Sequence, residues 1–351
     1  MGLKQKLVDL YNRVVDTKAL LVEQAGAATS KVLNVWHDSV ASGLTPERLA
    51  SLLKDAAKGD ADDFLTLAEE MEERDPHYAS VLGTRKRAIS RLPIVVTAGG
   101  DSAQDQAIAD ELQKVVEAPE FRDMLRDLLD GLGKGYSVVE IEWQLNSKQW
   151  TPNQYLWRDP HFFKFDRAAG RELRLKDDNV REGVELAPFK YIIHIPKLKS
   201  GVPIRNGLAR LAAWSYIFKN FTLKDWMAFI EVYGMPLRVG RYGPRATDED
   251  KRILLSAVAN IGTDAAAIVP KDMEIEFIEG KVGRSGEVFG GKAEYIDKQM
   301  SKAVLGQTMT TDDGSSKAQA EVHDDVRDDI RDDDAQQASD TINRDLVRPF
   351  V

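Results

Sequence analysis

Apolar positions along the first third of the chain repeat with the period of amphipathic helices. Residues 3–15 carry their leucines, a tyrosine and a valine on one helical face, which predicts a first helix. In TPERLASLLKDAAKG, Thr45 is suited to cap a helix, Pro46 to its first turn and Gly59 to its end. The same pattern predicts helices over DADDFLTLAEEMEERDP, with Phe64, Leu67, Ala68 and Met71 facing inward, and over HYASVLGTRKRAISRL, 104–117 and 119–132.

The middle of the chain changes to the two-residue alternation of strands. GYSVVEIEWQL places Val139, Ile141 and Trp143 on one side, opposite Val138 and two glutamates. PIVVTAGG, FFKFD, ELRL and KYIIHIP predict further short strands. The fold class expected from this succession is α+β and mainly helical.

Residues 207–233 are an apolar segment with seven aromatic side chains around a predicted long helix. A helix that is apolar on most sides is buried on several faces, either by its own domain or by neighbouring subunits. Strands at 237–242 and 265–278 flank a predicted helix at 247–260, which makes a small α/β unit. The remaining predicted elements are a helix at 287–304, a polar loop, and a long helix from about 316 to 346.

The composition limits the available chemistry. The chain has 351 residues, 43% of them hydrophobic, which is enough for two or three domains. It has no cysteine, which excludes a disulfide scaffold, a zinc–thiolate site and a cysteine nucleophile. No apolar run approaches the roughly 18 residues that a membrane span needs, and MGLKQKLVDLYNRV lacks the apolar core of a signal peptide.

Charge is distributed unevenly along the chain. A net charge of −9 ordinarily argues against nucleic-acid binding. However, residues 190–252 hold 12 Lys and Arg against 5 Asp and Glu, whereas residues 311–345 hold 4 against 12. The net charge therefore hides a basic middle and an acidic tail.

The glycine-containing loops do not match nucleotide-binding motifs. GQTMTTDDGSSK has no Gly-Lys pair, which a phosphate-binding loop needs because its lysine reaches the phosphates. GRSGEVFGG, residues 283–291, lacks the spacing of a dinucleotide-binding turn. We interpret GRSGEVFGG as a flexible linker.

The acidic run EVHDDVRDDIRDDD, residues 321–334, contains His323 and seven aspartates. A metal site is one interpretation of this composition. However, Val322, Val326 and Ile330 recur every four residues, and arginines stand between the acid pairs. We therefore favour a helix with a narrow apolar stripe and a solvated acidic face.

The other candidate acid–base residues also favour structural roles. The five histidines form no HExxH motif, and His194, in the strand YIIHIP, is expected to be a core residue. Glu140 and Glu142 share one strand face, where a pair of carboxylates could serve a glycosidase-like or metal site, but strand alternation produces such pairs routinely. No GxSxG hydrolase motif is present. The sequence thus predicts no catalytic residue, no metal site and no cofactor.

Several long stretches of the chain occur in a recognisable order. They are LAEEMEERDPHYASVLGTRKRAISRLPIVV, GYSVVEIEWQ, KYIIHIPK followed by GVPIRNGLARLAAWSYIFKNFTLKDWMAFIEVYGMP, and IDKQMSKAVLGQTMTTDDGSSKAQAEVHDDVRDDI. Together they resemble the Mu-like bacteriophage portal protein family, from about residue 40 onward. Members of that family usually continue beyond RDLVRPFV, so we expect the crown region to be absent or truncated here.

The resemblance implies a phage portal fold, which combines a wing, a two-helix stem, a small α/β clip, a tunnel loop and a long wing-crossing helix. The regions that it implies are an N-terminal arm at 1–40, the wing at 41–202, the first stem helix at 203–235, the clip at 236–279, the second stem helix at 280–304, the tunnel loop at 305–317 and the long wing helix at 318–351. The predicted helix at 3–15 would be a capsid-binding arm or a disordered lead-in.

The resemblance also implies three groups of functional residues. The tunnel-loop residues lining a DNA channel would be Thr308, Thr310, Thr311, Ser315, Ser316 and Lys317. The stem residues packing between subunits would be Trp214, Phe218, Phe221 and Trp226. The clip residues docking partner proteins would be Arg241, Arg245, Lys251 and Arg252. The basic middle segment would face either DNA or acidic protein surfaces.

The function implied by the resemblance is a ring at one capsid vertex, typically of twelve subunits and without enzymatic activity. Double-stranded DNA would pass through it without sequence specificity during packaging and ejection. The expected protein partners are the terminase large subunit, the major capsid and scaffold proteins, and head-completion or tail connector proteins. The ring would assemble in the bacterial cytoplasm and reside in the virion, with no membrane partner.

Two other functions stay open on the residues alone. One is a metal-dependent nucleic-acid enzyme that uses His323 and the acidic run at 321–334. The other is a monomeric adaptor or scaffold, in which the aromatic helix would be buried internally. Metal-dependent DNA cleavage would single out the first, and a stable monomer the second.

Overall fold

Helices predominate in the computed structural model, which describes residues 17–26, 32–146, 149–233, 237–260, 273–278, 285–308 and 317–351. The chain divides into two units, one formed by Met1–Ile217 with Asp297–Val351 and the other by Phe218–Ile296. The helix predicted at 3–15 lies outside the described residues. Within them, no helix is both long and apolar enough to cross a membrane.

Capping residues set the ends of the first helices in the larger unit. The helices are α1 at Thr17–Leu21, α2 at Pro46–Ala56, α3 at Asp62–Arg74, α4 at Pro76–Ser90, α5 at Ala103–Glu117, α6 at Pro119–Leu128 and a short α7 at Gly131–Lys134. The Thr45 hydroxyl accepts a hydrogen bond from the Arg48 amide at 3.3 Å, as an N-cap does. The four residues predicted to face inward from α3 are buried. The predicted helices are confirmed, except that the one over 119–132 is interrupted after Leu128.

Two antiparallel sheets follow these helices. The first joins β1 (Ser137–Asn146), β2 (Gln149–Arg158) and β6 (Tyr191–His194) in the order β2-β1-β6, and the second joins β3 (Phe163–Phe165), β4 (Leu173–Leu175) and β5 (Val184–Glu185) in chain order. The strands predicted in FFKFD, ELRL, KYIIHIP and GYSVVEIEWQL are confirmed. Sequence reasoning missed β2, whose Pro152 and polar residues interrupt the apolar alternation. Proline is tolerated there because β2 is an edge strand.

The strand predicted in PIVVTAGG is wrong. Residues 93–98 are assigned to no strand. Ile94 and Val96 are half-buried while Val95 is 79% exposed, so the segment alternates as a strand does. A β-ladder also needs a partner, and none of the described strands pairs with this segment.

Glycine permits a close backbone contact where the long aromatic helix begins. This helix, α8, covers Leu208–Tyr233 and confirms the element predicted at 207–233. A Cβ on Gly207 would lie 2.5 Å from the Gly133 carbonyl oxygen and 2.6 Å from the Lys134 carbonyl carbon. Because backbone atoms cannot yield as a flexible side chain does, the turn after α7 packs against α8 only if residue 207 is glycine.

The smaller unit contains the second part of α8, β7 (Leu237–Tyr242), α9 (Asp248–Asn260), β8 (Met273–Ile278) and the first part of α10 (Ser285–Leu305). Antiparallel pairing of β7 with β8 confirms the predicted α/β unit, although residues 265–272 lie outside the described part. The linker interpretation of GRSGEVFGG is wrong from Ser285 onward, where α10 begins. Phe289 supplies the packing, since its ring centroid lies 6.5 Å from that of Trp226 and 5.6 Å from that of Phe229.

The C-terminal helices return to the core of the larger unit. They are α11 at Lys317–Ile342, a π-helical turn at Asn343–Val347 and α12 at Arg348–Phe350. Ala338, Leu346 and Phe350 are buried in the core. Arg331 forms ion pairs with Asp328 and Asp332 at 2.8 Å each, which agrees with the predicted charged helix face.

Candidate functional site

The polar loop expected to face DNA begins where α10 ends. Gly306 has a φ of 70°, and its amide donates to the Lys302 carbonyl oxygen at 3.1 Å, which is a common way to end a helix. Gln307 is 4% exposed and Thr308 is half-buried. Lys317 is the first residue of α11. The loop residues that lie outside the described part of the chain are Thr310, Thr311, Ser315 and Ser316.

A buried arginine ties together the two helices that flank this loop. The Arg85 guanidinium, on α4, donates to both carboxylate oxygens of Asp334 on α11, at 2.6 and 2.9 Å. It also donates to the Val304 carbonyl oxygen in the last turn of α10 at 2.7 Å. Asp334 is 1% exposed. One side chain therefore fixes the end of α10 against α11, and we call this contact the Arg85 clamp.

The apolar stripe predicted on the acidic helix packs at the same place. A Cβ on Gly306 would lie 2.9 Å from Ile330 Cδ1 and 3.3 Å from Val326 Cγ1. On the other side, His77 Nε2 of α4 is 2.8 Å from the Ser301 hydroxyl oxygen. The base of the loop is thus held by apolar packing and by two polar contacts with α4.

The aromatic helix α8 keeps much of its apolar surface exposed. Trp214 is 37% exposed, Phe218 47% and Phe221 37%. Trp226, in contrast, is half-buried and stacks on Phe289 within its own unit. Further exposed apolar residues of this helix are Leu211, Leu223, Met227 and Ile230. An apolar surface of this extent is typical of a protein–protein interface.

Three of the four basic residues expected to dock partners form ion pairs within the smaller unit. Arg241 contacts Glu276 at 2.6 Å, Lys251 contacts Asp248 at 3.0 Å, and Arg252 contacts Glu249 at 3.0 Å. Arg245 is exposed in the turn between β7 and α9. Because these acids neutralise part of the positive charge, the surface is less basic than the sequence suggests.

His194 is a core residue, as its strand position predicted. It is 1% exposed, and its Nδ1 lies 3.0 Å from the Thr341 hydroxyl oxygen on α11. Burial lowers the pKa of His194 to about 4, with the positive charge of Arg344 adding to the effect and Asp345 opposing it. The ring is therefore neutral near pH 7.

The protein is expected to lose about 2–3 kcal/mol of stability through His194 as the pH falls from 6.5 to 4. Below pH 6.5 the unfolded chain takes up a proton that the folded chain accepts only near pH 4. Stability is therefore fully present above that window and declines within it. His194→Gln should lose less stability than the wild type between about pH 7 and pH 4.5, measured by urea unfolding. Equal losses in the two proteins would contradict this prediction.

His37, Asp159 and His161 form a cluster whose ligand-type atoms lie within 4.8 Å of one another. His161 Nδ1 is 2.7 Å from Asp159 Oδ1, and its Nε2 is 3.0 Å from the Thr66 hydroxyl oxygen. His37 Nε2 is 3.3 Å from Asp159 Oδ2, and its ring stacks on that of His161 at 3.8 Å. Although burial disfavours its charge, hydrogen bonds from His161 and His37 hold the pKa of Asp159 below its usual value. Since protein groups already contact both ring nitrogens of His161, we interpret the cluster as a structural anchor.

Comparison with known proteins identifies the family of this fold. The family model described as the portal protein of Mu bacteriophage matches residues 65–351. The chain belongs to the Mu portal protein family. It is 40% identical over 324 residues to the portal protein of Escherichia phage Mu, and 36% identical over 356 residues to the Mu-like prophage FluMu protein gp29 of Haemophilus influenzae. These alignments cover 91% and 99% of this chain.

The chain spans 63% of the length of the phage Mu relative and 68% of that of the FluMu relative. Among solved structures, a chain from the neck of a native gene transfer agent particle, computed with C12 symmetry, is similar to it with a TM-score of 0.53. That likeness covers 78% of this chain and 79% of the other at 9% sequence identity, so it concerns the fold. The expected portal fold, mainly helical α+β, is confirmed by the family match and this likeness.

Sequence reasoning on this portal-family chain missed the role of Glu140. Its carboxylate is fully buried and accepts hydrogen bonds from the amides of Gln24 at 2.5 Å and Ala25 at 3.0 Å. It also pairs with Arg158 Nε at 2.8 Å and Lys190 Nζ at 3.5 Å. Glu140 is thus the centre of a buried charge cluster that anchors residues 24–25. No local sequence signal reports this, because Gln24 lies 116 residues away.

Proposed function

We propose that copies of this chain form the portal ring at one vertex of a phage capsid, through which double-stranded DNA is packaged and ejected. Membership of the Mu portal protein family over residues 65–351 carries this proposal. The C12 symmetry of the similar neck structure supports twelve subunits. In the mature particle the ring would reside in the virion, after assembly in the bacterial cytoplasm.

The exposed apolar side chains of α8 support the ring. A helix face that carries Trp214, Phe218 and Phe221 at 37–47% exposure is covered when subunits pack side by side. In this proposal, 203–235 and 280–304 form the stem, 236–279 the clip and 41–202 the wing, with 318–351 as the long wing helix. Trp226 then stabilises the stem mainly within a subunit, through its contact with Phe289.

The oligomeric state of the purified protein tests the proposal directly. Mass photometry with negative-stain class averages is expected to show a ring with a central opening near the width of duplex DNA. Phe218→Glu and Phe221→Glu should weaken the ring, because each would place a charge in an apolar interface. Lys224→Glu, on an exposed position of the same helix, is a matched control for added negative charge. A stable wild-type monomer would count against the portal ring.

The loop at 305–317 is proposed to line the channel. A loop that touches moving DNA works best without strong attraction, and hydroxyl groups form exchangeable hydrogen bonds with phosphate. The Arg85 clamp supports this role by holding the two flanks of the loop together. Asp312 and Asp313 would repel the DNA backbone.

Replacing Thr308, Thr310 and Thr311 with arginine is expected to impair packaging while rings still assemble. Each new phosphate contact would steepen the salt dependence of DNA binding by about 0.9 in log–log slope, and DNA would slide more slowly. The measurements are DNA content per particle and DNA affinity of the rings at several salt concentrations. The matched control replaces the same threonines with serine, which keeps the hydroxyl groups. Normal packaging by assembled arginine rings would contradict the placement of this loop.

The clip is proposed to dock the terminase large subunit during packaging and head-completion or tail connector proteins afterwards. Arg245, which is exposed, is the first residue to test, since Arg241, Lys251 and Arg252 already pair with acids of their own unit. The wing would contact the major capsid and scaffold proteins. The ring itself has a structural role in this proposal, and terminase would supply the energy for packaging.

The alternative of a metal-dependent enzyme receives no support from α11. Among its described aspartates, Asp334 pairs with Arg85, while Asp328 and Asp332 pair with Arg331. These contacts give the acidic run a packing role on one side and a solvated face on the other. Addition of divalent cations to purified rings should therefore produce no DNA cleavage.

A further inference from the structure

A tryptophan on the larger unit is unusually exposed. Trp36 is 83% exposed, and the neighbouring Val35 is 43% exposed. Covering an indole buries about 150–250 Å², and tryptophan is enriched among the residues that dominate binding energy in interfaces. We call Trp36 with Val35 the knob.

The backbone of the knob is held in place on both sides. The Asn34 side chain accepts a hydrogen bond from the Trp36 amide at 3.0 Å and donates to the Trp36 carbonyl oxygen at 2.9 Å. The next residue, His37, stacks on His161 in the anchor described above. Glu70 of α3 then accepts from the amides of Val40 and Ala41 at 2.9 and 2.6 Å. A pre-organised anchor residue costs less conformational entropy on binding.

The same unit contains an apolar groove of about 610 Å³. Its walls are the segment at 92–97 and parts of α5, α6 and α11, and its apolar lining includes Leu92, Ile94, Leu112, Phe121, Ala335 and Ile342. Val95, which is 79% exposed, lies at this groove, and Gln336, Ser339 and Asn343 add polar groups that an indole N–H could reach. The volume is in the range of small-molecule pockets, so it can receive one indole ring.

The knob and the groove are formed by different parts of one chain. Phe121 on the groove wall packs against Tyr155 at 6.4 Å, and Tyr155 pairs with Ile141 of β1. The segment that leads to the knob is anchored at Ala25 by Glu140, which points to the opposite face of β1 from Ile141. A closed ring requires such an arrangement, because a heterologous interface joins two different surfaces of identical subunits.

We propose that Trp36 of one subunit inserts into the groove of the next subunit around the ring. This inference rests on the proposed ring and adds a specific contact in the wing, apart from the apolar face of α8. The occupant is a second copy of this chain, because the anchor side chain and an apolar groove of matching size are both present in every subunit.

Cross-linking tests this contact without interference, since the chain has no cysteine. Val35→Cys combined with Ser339→Cys keeps Trp36 and places one thiol at the knob and one at the groove. A short thiol cross-linker applied to assembled rings should give a ladder of covalent multimers that extends to the full ring. The matched control pairs Val35→Cys with Gln106→Cys, an exposed α5 position outside the groove, and should give no ladder. Wild-type-like rings without the ladder, or a ladder that stops at dimers, would overturn the inference and leave the ring itself intact.

Substitution of the knob provides the second measurement. Trp36→Ala should raise the protein concentration needed for half-assembly at least about tenfold, whereas Trp36→Phe should have a smaller effect. Val180→Ala, at another exposed valine, is the control. Unchanged assembly of Trp36→Ala, including rings that form normally but fail to enter capsids, would overturn the subunit contact and indicate a capsid partner. Failure of the wild type to form rings would instead contradict the proposed function, and this inference with it.

Discussion

Replacing Glu140 with glutamine is expected to lower the free energy of unfolding by about 3–5 kcal/mol. The carboxylate is fully buried between Arg158 Nε at 2.8 Å and Lys190 Nζ at 3.5 Å. Removal of its charge leaves two buried cations without their shared anion. Burial already lowers the pKa of Lys190, and the charge of Glu140 counteracts this effect. Breaking a buried ion pair from one side is costly because the desolvation of the remaining charges is no longer compensated.

The substitution should also loosen the N-terminal segment. Both Glu140 oxygens accept from backbone amides, those of Gln24 at 2.5 Å and Ala25 at 3.0 Å. A glutamine offers one oxygen where two are needed, and its NH₂ group would face donors. Urea unfolding should show the loss of stability, and hydrogen exchange should show faster exchange at residues 24 and 25.

Glu142→Gln is the matched control for this prediction, because Glu142 lies two residues along the same strand and is only half-buried. We expect its substitution to change stability by less than about 0.5 kcal/mol. Comparable losses for the two substitutions would show that strand composition, and not the buried cluster, determines the effect.

Replacing Arg85 with methionine is expected to cost about 3–4 kcal/mol. The long apolar side chain of methionine retains part of the packing, but Asp334, at 1% exposure, loses both hydrogen bonds from the guanidinium. The Val304 carbonyl oxygen loses its 2.7 Å donor as well. Asp334→Asn should also destabilise the protein, because the guanidinium then lacks its buried counterion.

A double-mutant cycle measures the Arg85 clamp itself. If the two residues act as one unit, Arg85→Met with Asp334→Asn should cost less than the sum of the single changes, with a coupling of at least about 1 kcal/mol. Arg87→Met is the control, because Arg87 is exposed on the same helix and should change stability by less than about 0.5 kcal/mol. Additive effects would show that the contact between Arg85 and Asp334 contributes little. In rings, the single variants should also reduce packaging, if the loop at 305–317 faces DNA.

Local patterns predicted the elements whose ends depend on neighbouring residues. Thr45 and Pro46 predicted the start of α2, and the apolar repeat of α3 identified its buried face. The prediction failed for residues 93–98, since alternation indicates an extended segment but not its hydrogen-bond partner. It also failed at Ser285, where Phe289 packs with Trp226 and outweighs the helix-weakening glycines.

The sequence by itself determined the succession of helices and strands, the fold class and the resemblance to the portal family, because periodicity, caps and segment order are written along the chain. Only the tertiary structure decided which charges are buried together. Glu140 could not be recognised as the centre of a cluster, nor Arg85 as a clamp, since Asp334 lies 249 residues from Arg85. Such pairings depend on how the elements pack. The value of each charged side chain is then determined by the water that packing removes from around it.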